Sequence, residues 1–482
     1  MSNFKNDLKY VPKSNRKKIL FISDDIRFHS GIATISREII MGTAHVYNYA
    51  IVGGAVNHPD KGTKLDLSKS NDEVTGLTDS EVCIYPTDGY GNADLIRALL
   101  IQEKPDALVF ITDPRYYTWL FQIEHEIRQK IPMIYLSIWD CEPAPLYNKE
   151  YYRSCDTIMA ISKQTEILTK VVLGEYLNDK IIKYVPHGIN ENHFYKIDES
   201  HEKYVELQKF KKDLVGNFEF VLLYNSRNIR RKSTSDNILA FKLFLDSLPK
   251  EKADKCCLVL HTHQSDENGT DLVVVIELFL GDRKNQVIFS NPGVDVAYMN
   301  MLYNSADATT LISSNEGWGL ALTESLMSGT MIIANVTGGM QDQMRFEDEE
   351  GNWIKFDESF CSNHFGKYKK CGDWAIPVFP SNMSVQGSIQ TPYILDDRAD
   401  FRDVAKAMLE VYNIDKEDRI KRGLLGRSWV TSDESMMSAK NMCKNFYDAV
   451  DETLKTFKPK SRFKVLKIKD RPLKTLKFSV SL

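Results

Sequence analysis

The sequence predicts an α/β protein built from two doubly wound parallel-sheet domains that face each other across a cleft. Three observations carry that expectation. Short continuous apolar runs, not alternating ones, recur between helix-like stretches, as parallel strands covered on both faces require. The first run, residues 17–23, leads into a loop ending at Gly31 and then a helical stretch over residues 32–40, which is how a doubly wound domain opens. The pattern starts afresh near residue 220, in a chain whose 482 residues have room for two or three domains.

Lys17 and Lys18 introduce Ile19-Leu20-Phe21-Ile22, an unbroken apolar run that reads as a buried strand. Further strands are expected at residues 49–52, 107–112, 133–138 and 157–161, with helices over 93–102 and 119–130. Residues 196–216 are charged and read as a linker with a short helix. A second set of strands is expected at 220–224, 257–261, 287–289, 308–311 and 331–334. Residues 345–400 are rich in Gly, Pro, Asn and Asp and read as a long irregular insertion. Helical periodicity returns over 401–412, 417–427 and 435–454. Ligands of such domains sit at the C-terminal ends of the strands.

Hydrophobic content of 43% and charged content of 27% are ordinary for a soluble globular protein. The opening Met-Ser-Asn-Phe-Lys-Asn-Asp lacks the apolar centre of a signal peptide, and no apolar run approaches the roughly 18 residues of a membrane span. A cytoplasmic protein without a transmembrane segment is expected. The 8 cysteines form no CxxC pair and no metal-ligand spacing with histidine, so reduced, buried thiols are expected. The net charge of -4 is unevenly spread: after Leu454 the chain carries Lys455, Lys458, Lys460, Arg462, Lys464, Lys467, Lys469, Arg471, Lys474 and Lys477 against a lone Asp470.

Residues 313–329 read Ser-Ser-Asn-Glu-Gly-Trp-Gly-Leu-Ala-Leu-Thr-Glu-Ser-Leu-Met-Ser-Gly. Glu316 lies in a glycine-rich turn, Leu320 begins a helical pattern, Glu324 falls about one turn into it, and Gly329 suits a C′ stop. A helix N-terminus flanked by glycines offers free backbone N–H groups to phosphate, and carboxylates accept hydrogen bonds from sugar hydroxyls. Two Glu residues eight positions apart would alone read as a solvated helix face. The Gly317-Trp318-Gly319 context argues against that, and the segment resembles the signature of two Glu separated by seven residues in retaining GT-B glycosyltransferases, in particular glycosyltransferase family 4. The resemblance extends over most of residues 17–450.

The resemblance implies a division into residues 1–200, an acceptor-side domain, and 201–434, a nucleotide-sugar domain. Residues 435–457 would form a helix returning to the first domain, and 458–482 a basic tail. It implies a nucleotide-sugar co-substrate, a UDP-sugar by preference, and transfer with retention of configuration. Within it Glu316 would contact hydroxyls of the donor sugar and Glu324 those of the ribose, while Gly317, Trp318, Gly319 and Leu320 would present the backbone to sugar and phosphate. The segment Asn225-Ser226-Arg227-Asn228-Ile229-Arg230-Arg231-Lys232 resembles the family's Gly-Arg-…-Lys element, with Arg227 and Lys232 at the positions that bind the diphosphate; Ser226 replaces the usual glycine. Fixed cations there stabilise the charge of the departing nucleoside diphosphate. Gly31 would approach the donor from the first domain, with Ser30 where the family often has another glycine. Gly338-Gly339 resembles the family's Gly-Gly-…-Glu loop, with Gln341-Asp342 in place of Pro-Glu.

On the acceptor side, Pro186-His187-Gly188-Ile189-Asn190 resembles the family's hinge element, which implies that Gly188 lies near the cleft; His187 reads either as a satisfied polar residue or as a ligand contact. Trp139-Asp140 stands where the family commonly has His-Asp. Trp139 could stack on a sugar or base face. Asp140 is a candidate contact to the acceptor hydroxyl, or a structural Asp at a strand end. No metal is expected: Asp24-Asp25 and Asp396-Asp397 lack the Asp-x-Asp spacing by which glycosyltransferases of the other main fold hold a divalent ion, and the cations serve the diphosphate.

The acceptor is less legible. The basic tail, with Phe457, Phe463 and Phe478 interleaved, suits double-stranded DNA, an anionic lipid surface or a surface β-ribbon. The Lys-, Asn- and Asp-rich composition resembles phage enzymes that glycosylate hydroxymethylated pyrimidines in DNA, a likeness of general character without a motif, and implies the host cytoplasm for a phage product. The alternatives are a lipid-linked or polysaccharide acceptor, and a non-catalytic nucleotide-sugar-binding protein.

Overall fold

The computed structural model describes residues 7–54, 57–290, 293–357 and 362–461. Residues 462–482, most of the basic tail, lie outside the described residues.

The first domain is an eight-stranded sheet of β1 (Lys17–Asp24), β2 (Tyr47–Gly54), β3 (Leu65–Asp66), β4 (Val82–Pro86), β5 (Ala107–Ile111), β6 (Met133–Ser137), β7 (Thr157–Ala160) and β8 (Ile181–Tyr184), in the order β3-β4-β2-β1-β5-β6-β7-β8. All neighbours pair in parallel except the short β3, which is antiparallel to β4. Ile19, Leu20, Phe21 and Ile22 of β1 are fully buried, because helices cover both faces of the sheet and every side chain of a central strand meets one of them. Ser30 caps helix Gly31–Thr43 by accepting from the Ala33 N–H at 3.0 Å.

The second domain is a parallel six-stranded sheet of β9 (Phe220–Asn225), β10 (Cys256–His261), β11 (Val287–Ser290), β12 (Ala308–Leu311), β13 (Met331–Asn335) and β14 (Ala375–Val378), ordered β11-β10-β9-β12-β13-β14. Both sheets reverse direction of winding beside their first strand, so each opens a crevice at the C-terminal ends of its strands. The expected two-domain α/β architecture is the one found.

Three expectations need correction. Residues 119–130 do not form one helix: helices Thr118–Gln122 and Glu124–Ile127 meet at a bend at Ile123, whose side chain turns into the core beside Leu120 and Ile127. Strands β4, β8 and β14 were not anticipated; they are four or five residues long, β4 ends on Pro86, and β8 is an edge strand that is only half-buried. The supposedly irregular insertion supplies β14 and then an antiparallel hairpin, β15 (Asn382–Gln386) with β16 (Ile394–Arg398), which stands apart from both sheets.

After helices Phe401–Asn413 and Lys416–Val430 the chain crosses back. Helix Ala439–Thr456 lies against the first domain, with the Phe446 ring 6.3 Å from Phe21 and the Thr453 and Thr157 hydroxyls 2.6 Å apart. No helix among the described residues is long and apolar enough to cross a membrane. The seven described cysteines are free, and all but Cys371 are buried.

Candidate active site

The loop after β12 carries Asn315 to Gly319 into the crevice. It is held from two sides: the Ser314 N–H donates to the Arg231 carbonyl at 2.8 Å, and the Gly339 N–H to the Glu316 carbonyl at 2.9 Å. The second contact explains the paired glycines. A Cβ on Gly338 would lie 2.2 Å from the Glu316 oxygen, and one on Gly339 2.0 Å from the Gly317 oxygen, so backbone packs directly on backbone. Gly319, at φ +87, turns the chain into helix Leu320–Met327, which no side chain caps. No capping side chain meets the first N–H groups of that helix, which carry the positive end of its dipole.

Glu316 is 9% exposed and sits between two cations. Lys232, also 9% exposed, donates to its Oε2, and the Arg231 guanidinium reaches the same oxygen at 3.3 Å and the Asn315 carbonyl at 2.7 Å. Burial would raise the Glu316 carboxyl, but the charges of Lys232 and Arg231 outweigh it and hold it at about 2. Burial draws the Lys232 ammonium below its ordinary value, against the pull of Glu316. Burial likewise opposes the Arg231 charge, yet Glu316 and Asp140 keep it raised. The tight turn Arg230–Lys232 is what points both side chains inward.

Arg227, which the family spacing selects, lies elsewhere. Its side chain is 60% exposed and pairs with Asp266 at 2.8 Å. Arg231, which that spacing passes over, is the arginine beside Glu316; its signal in the sequence is its place immediately before Lys232. Glu324 accepts from the Tyr303 hydroxyl at 2.6 Å, and Tyr303 accepts in turn from Asn225 at 2.7 Å. Burial raises the Glu324 carboxyl, and the Tyr303 hydrogen bond works against it. Tyr303 was not anticipated, since no motif contains it.

The first domain faces this loop closely. A Cβ on Gly31 would come 3.2 Å from the Leu320 side chain, and one on Gly317 would come 2.8 Å from the Ile138 carbonyl and 3.6 Å from the Asp140 Cβ. Asp140 therefore sits opposite Arg231 and Lys232 across the cleft; its Oδ1 accepts from the Cys141 thiol at 3.0 Å.

One acceptor-side expectation is corrected. Trp139 does not present its ring to a ligand: it is 6% exposed, its indole N–H donates to the Cys141 carbonyl at 2.6 Å, and its ring packs on Tyr147. Gly188 packs closely on the returning chain: a Cβ there would lie 2.3 Å from the Ser438 oxygen, and its N–H meets the Met442 sulfur at 3.1 Å. His187 is buried edge-on to Trp318 with its ring centroid 6.3 Å away, and burial lowers it to about 3, which keeps it neutral. Trp318 is itself buried, and its indole N–H donates to the Thr323 hydroxyl at 3.1 Å.

Solved structures share this fold. HepE from Anabaena in complex with UDP and glucose matches with a TM-score of 0.61 at 12% identity, covering 91% of this chain and 100% of that one. A glycosyltransferase from Rickettsia africae matches at 0.62 and 15% identity, covering 92% and 100%. Sucrose-phosphate synthase from Thermosynechococcus elongatus matches at 0.62 and 14%, covering 91% and 100%. The fold is GT-B. Within this GT-B chain, residues 209–359 match the family of glycosyl transferases group 1, and that span holds Arg231, Lys232, Glu316, Glu324 and the paired glycines. No curated protein matches the chain at a significant level.

Proposed function

We propose that this chain is a glycosyltransferase that moves a sugar from a nucleotide-sugar donor to an acceptor hydroxyl with retention of configuration. The observation that supports it most is Glu316 locked between Lys232 and Arg231 at the start of an uncapped helix, with Asp140 of the other domain facing it. Structures of HepE hold UDP and UDP-glucose, and a UDP-sugar is the donor proposed here. Its diphosphate takes Lys232, Arg231 and the helix N–H groups, which stabilise the charge that develops as it leaves. Glu316 stays a carboxylate and accepts from the donor sugar. The acceptor oxygen bonds to the anomeric carbon as the bond to the phosphate oxygen breaks, and the acceptor proton passes to that departing oxygen. No protein nucleophile is required, and no metal is assigned a role.

The acceptor proposed is a hydroxymethylated pyrimidine in DNA, supported by the charge of residues 458–482. The test has two stages. Nucleotide sugars are screened by thermal shift, and the best binder is assayed for slow hydrolysis and for transfer to DNA, glycan and lipid. Wild-type turnover by the double variant Glu316→Ala, Glu324→Ala would reject the assignment. Duplex DNA binding should weaken steeply with salt and vanish when residues 458–482 are deleted; binding to anionic vesicles instead would replace DNA with a lipid acceptor.

A further inference from the structure

The hairpin β15–β16 stands apart from both sheets, and it bonds to both domains and to the loop that carries Glu316. On one side it hooks the first domain. The Leu395 N–H donates to the Glu142 carbonyl at 2.6 Å, and the Tyr147 hydroxyl donates to the Tyr393 carbonyl at 3.0 Å. The Tyr393 hydroxyl accepts from the Leu146 N–H and donates to the Ala144 carbonyl, each at 3.2 Å. Ile394 packs against the small cluster of Trp139, Cys141 and Leu168. On the other side it is riveted to the second domain through Asp397, which accepts from Thr337 at 2.6 Å and Asn363 at 2.8 Å, while its N–H donates to the Ser314 carbonyl.

Between these anchors stands Asp396. Its Oδ1 accepts from Asn315 Nδ2 at 2.6 Å, and the Asn315 carbonyl accepts from Arg231 at 2.7 Å. Consecutive residues of a strand point to opposite faces. The Asp396 side chain thus points to the face opposite that of Asp397: it meets Asn315 of the active-site loop, while the Asp397 carboxylate meets Thr337 and Asn363 and the Leu395 N–H holds the first domain.

We propose that Asp396 is a positioning residue: through Asn315 it fixes the Arg231 cation, and the hook of the hairpin on the first domain makes that fixation depend on domain closure. The proposal rests on the glycosyltransferase reading. It gives the insertion a task, because a strap anchored in both domains makes closing the cleft and aligning the cation one event. The Asn315 contact orders a cation that the diphosphate meets directly, so its loss should lower turnover and UDP affinity together.

The test measures UDP binding by calorimetry and UDP-glucose hydrolysis without acceptor. Asp396→Ala should lower turnover about tenfold, the scale of one charge-assisted hydrogen bond, and weaken UDP binding by a similar factor. Asp396→Asn should restore most of the loss, because its amide oxygen still accepts from Asn315. Tyr393→Phe removes hydrogen bonds to the first domain and touches no donor-side residue; it should also lower turnover, and combined with Asp396→Ala it should add nothing further. Additive effects, or an Asp396→Ala variant matching a wild-type protein that hydrolyses UDP-glucose, would overturn the proposal alone. A wild-type protein inert towards both UDP and UDP-glucose would remove the underlying reading and this proposal with it.

Discussion

Replacing Glu316 with Gln removes one charge and almost no volume, so its effect is electrostatic. In the wild-type protein the cations draw this carboxyl from an ordinary 4.5 to about 2. At 1.36 kcal/mol per pH unit that is ~3 kcal/mol of stability, within the range for breaking a buried pair. For a domain of this size the melting temperature should fall by roughly 6–12 °C. A lowered folded-state value means that this stability is present above pH 4.5 and disappears as the pH falls through about 2, so the gap between variant and wild type should close in acid. Ligand binding should move the other way. With Glu316 neutral, Lys232 and Arg231 lose their counter-ion, and a diphosphate can supply it. Scanning calorimetry with and without UDP should therefore show a larger UDP-induced rise in the variant than in the wild type. Hydrolysis of the donor should drop by about a hundredfold, because the sugar loses its carboxylate acceptor. A variant with wild-type melting temperature, UDP response and turnover would refute the reasoning.

Four further outcomes are expected. Glu324→Ala should weaken donor binding by about tenfold with a smaller change in turnover, and Tyr303→Phe, which leaves Asn225 and Glu324 without their shared partner, should raise the donor KM several-fold. Asp342 accepts from the Lys163 N–H and the Tyr184 hydroxyl across the domain interface, and burial pushes its carboxyl up to about 7. A raised value costs stability as the pH rises from about 4 to about 7, so thermal melts of Asp342→Asn across that range should show a flatter pH dependence than the wild type. Treatment with a chelator should leave transfer unchanged; a loss of about tenfold that a divalent ion restores would overturn the metal-free mechanism.

What could be read from the sequence was what local pattern encodes. The unbroken apolar run of β1, the glycine-flanked Glu316 and the helix after Gly319 each depend on neighbours a few residues away, and each lies where the pattern placed it. Arg231 was missed for a different reason. Arg227, Arg230, Arg231 and Lys232 are alike as a charge run, and only the tight turn at Arg230–Lys232 decides which of them faces Glu316. Trp139 was misread because an indole suits a sugar face as well as a core, and the choice was made by the Cys141 carbonyl and the Tyr147 ring. The hairpin was invisible since its partners, Glu142 and Ala144 on one side and Ser314 and Thr337 on the other, are remote in sequence.

The return of helix Ala439–Thr456 to the first domain reverses the usual order of events on the ribosome. Most chains complete their domains from the N-terminus at about 5–20 residues per second of synthesis. Here the strand bearing Phe21 is made early, but the Phe446 ring that covers it belongs to the last described helix. The second domain, whose final helix ends at Val430, has all its parts available first. The earliest-made sheet thus waits with an uncovered apolar patch around Phe21 until helix Ala439–Thr456 has been made, and a message truncated after the second domain would yield a first half unable to finish itself.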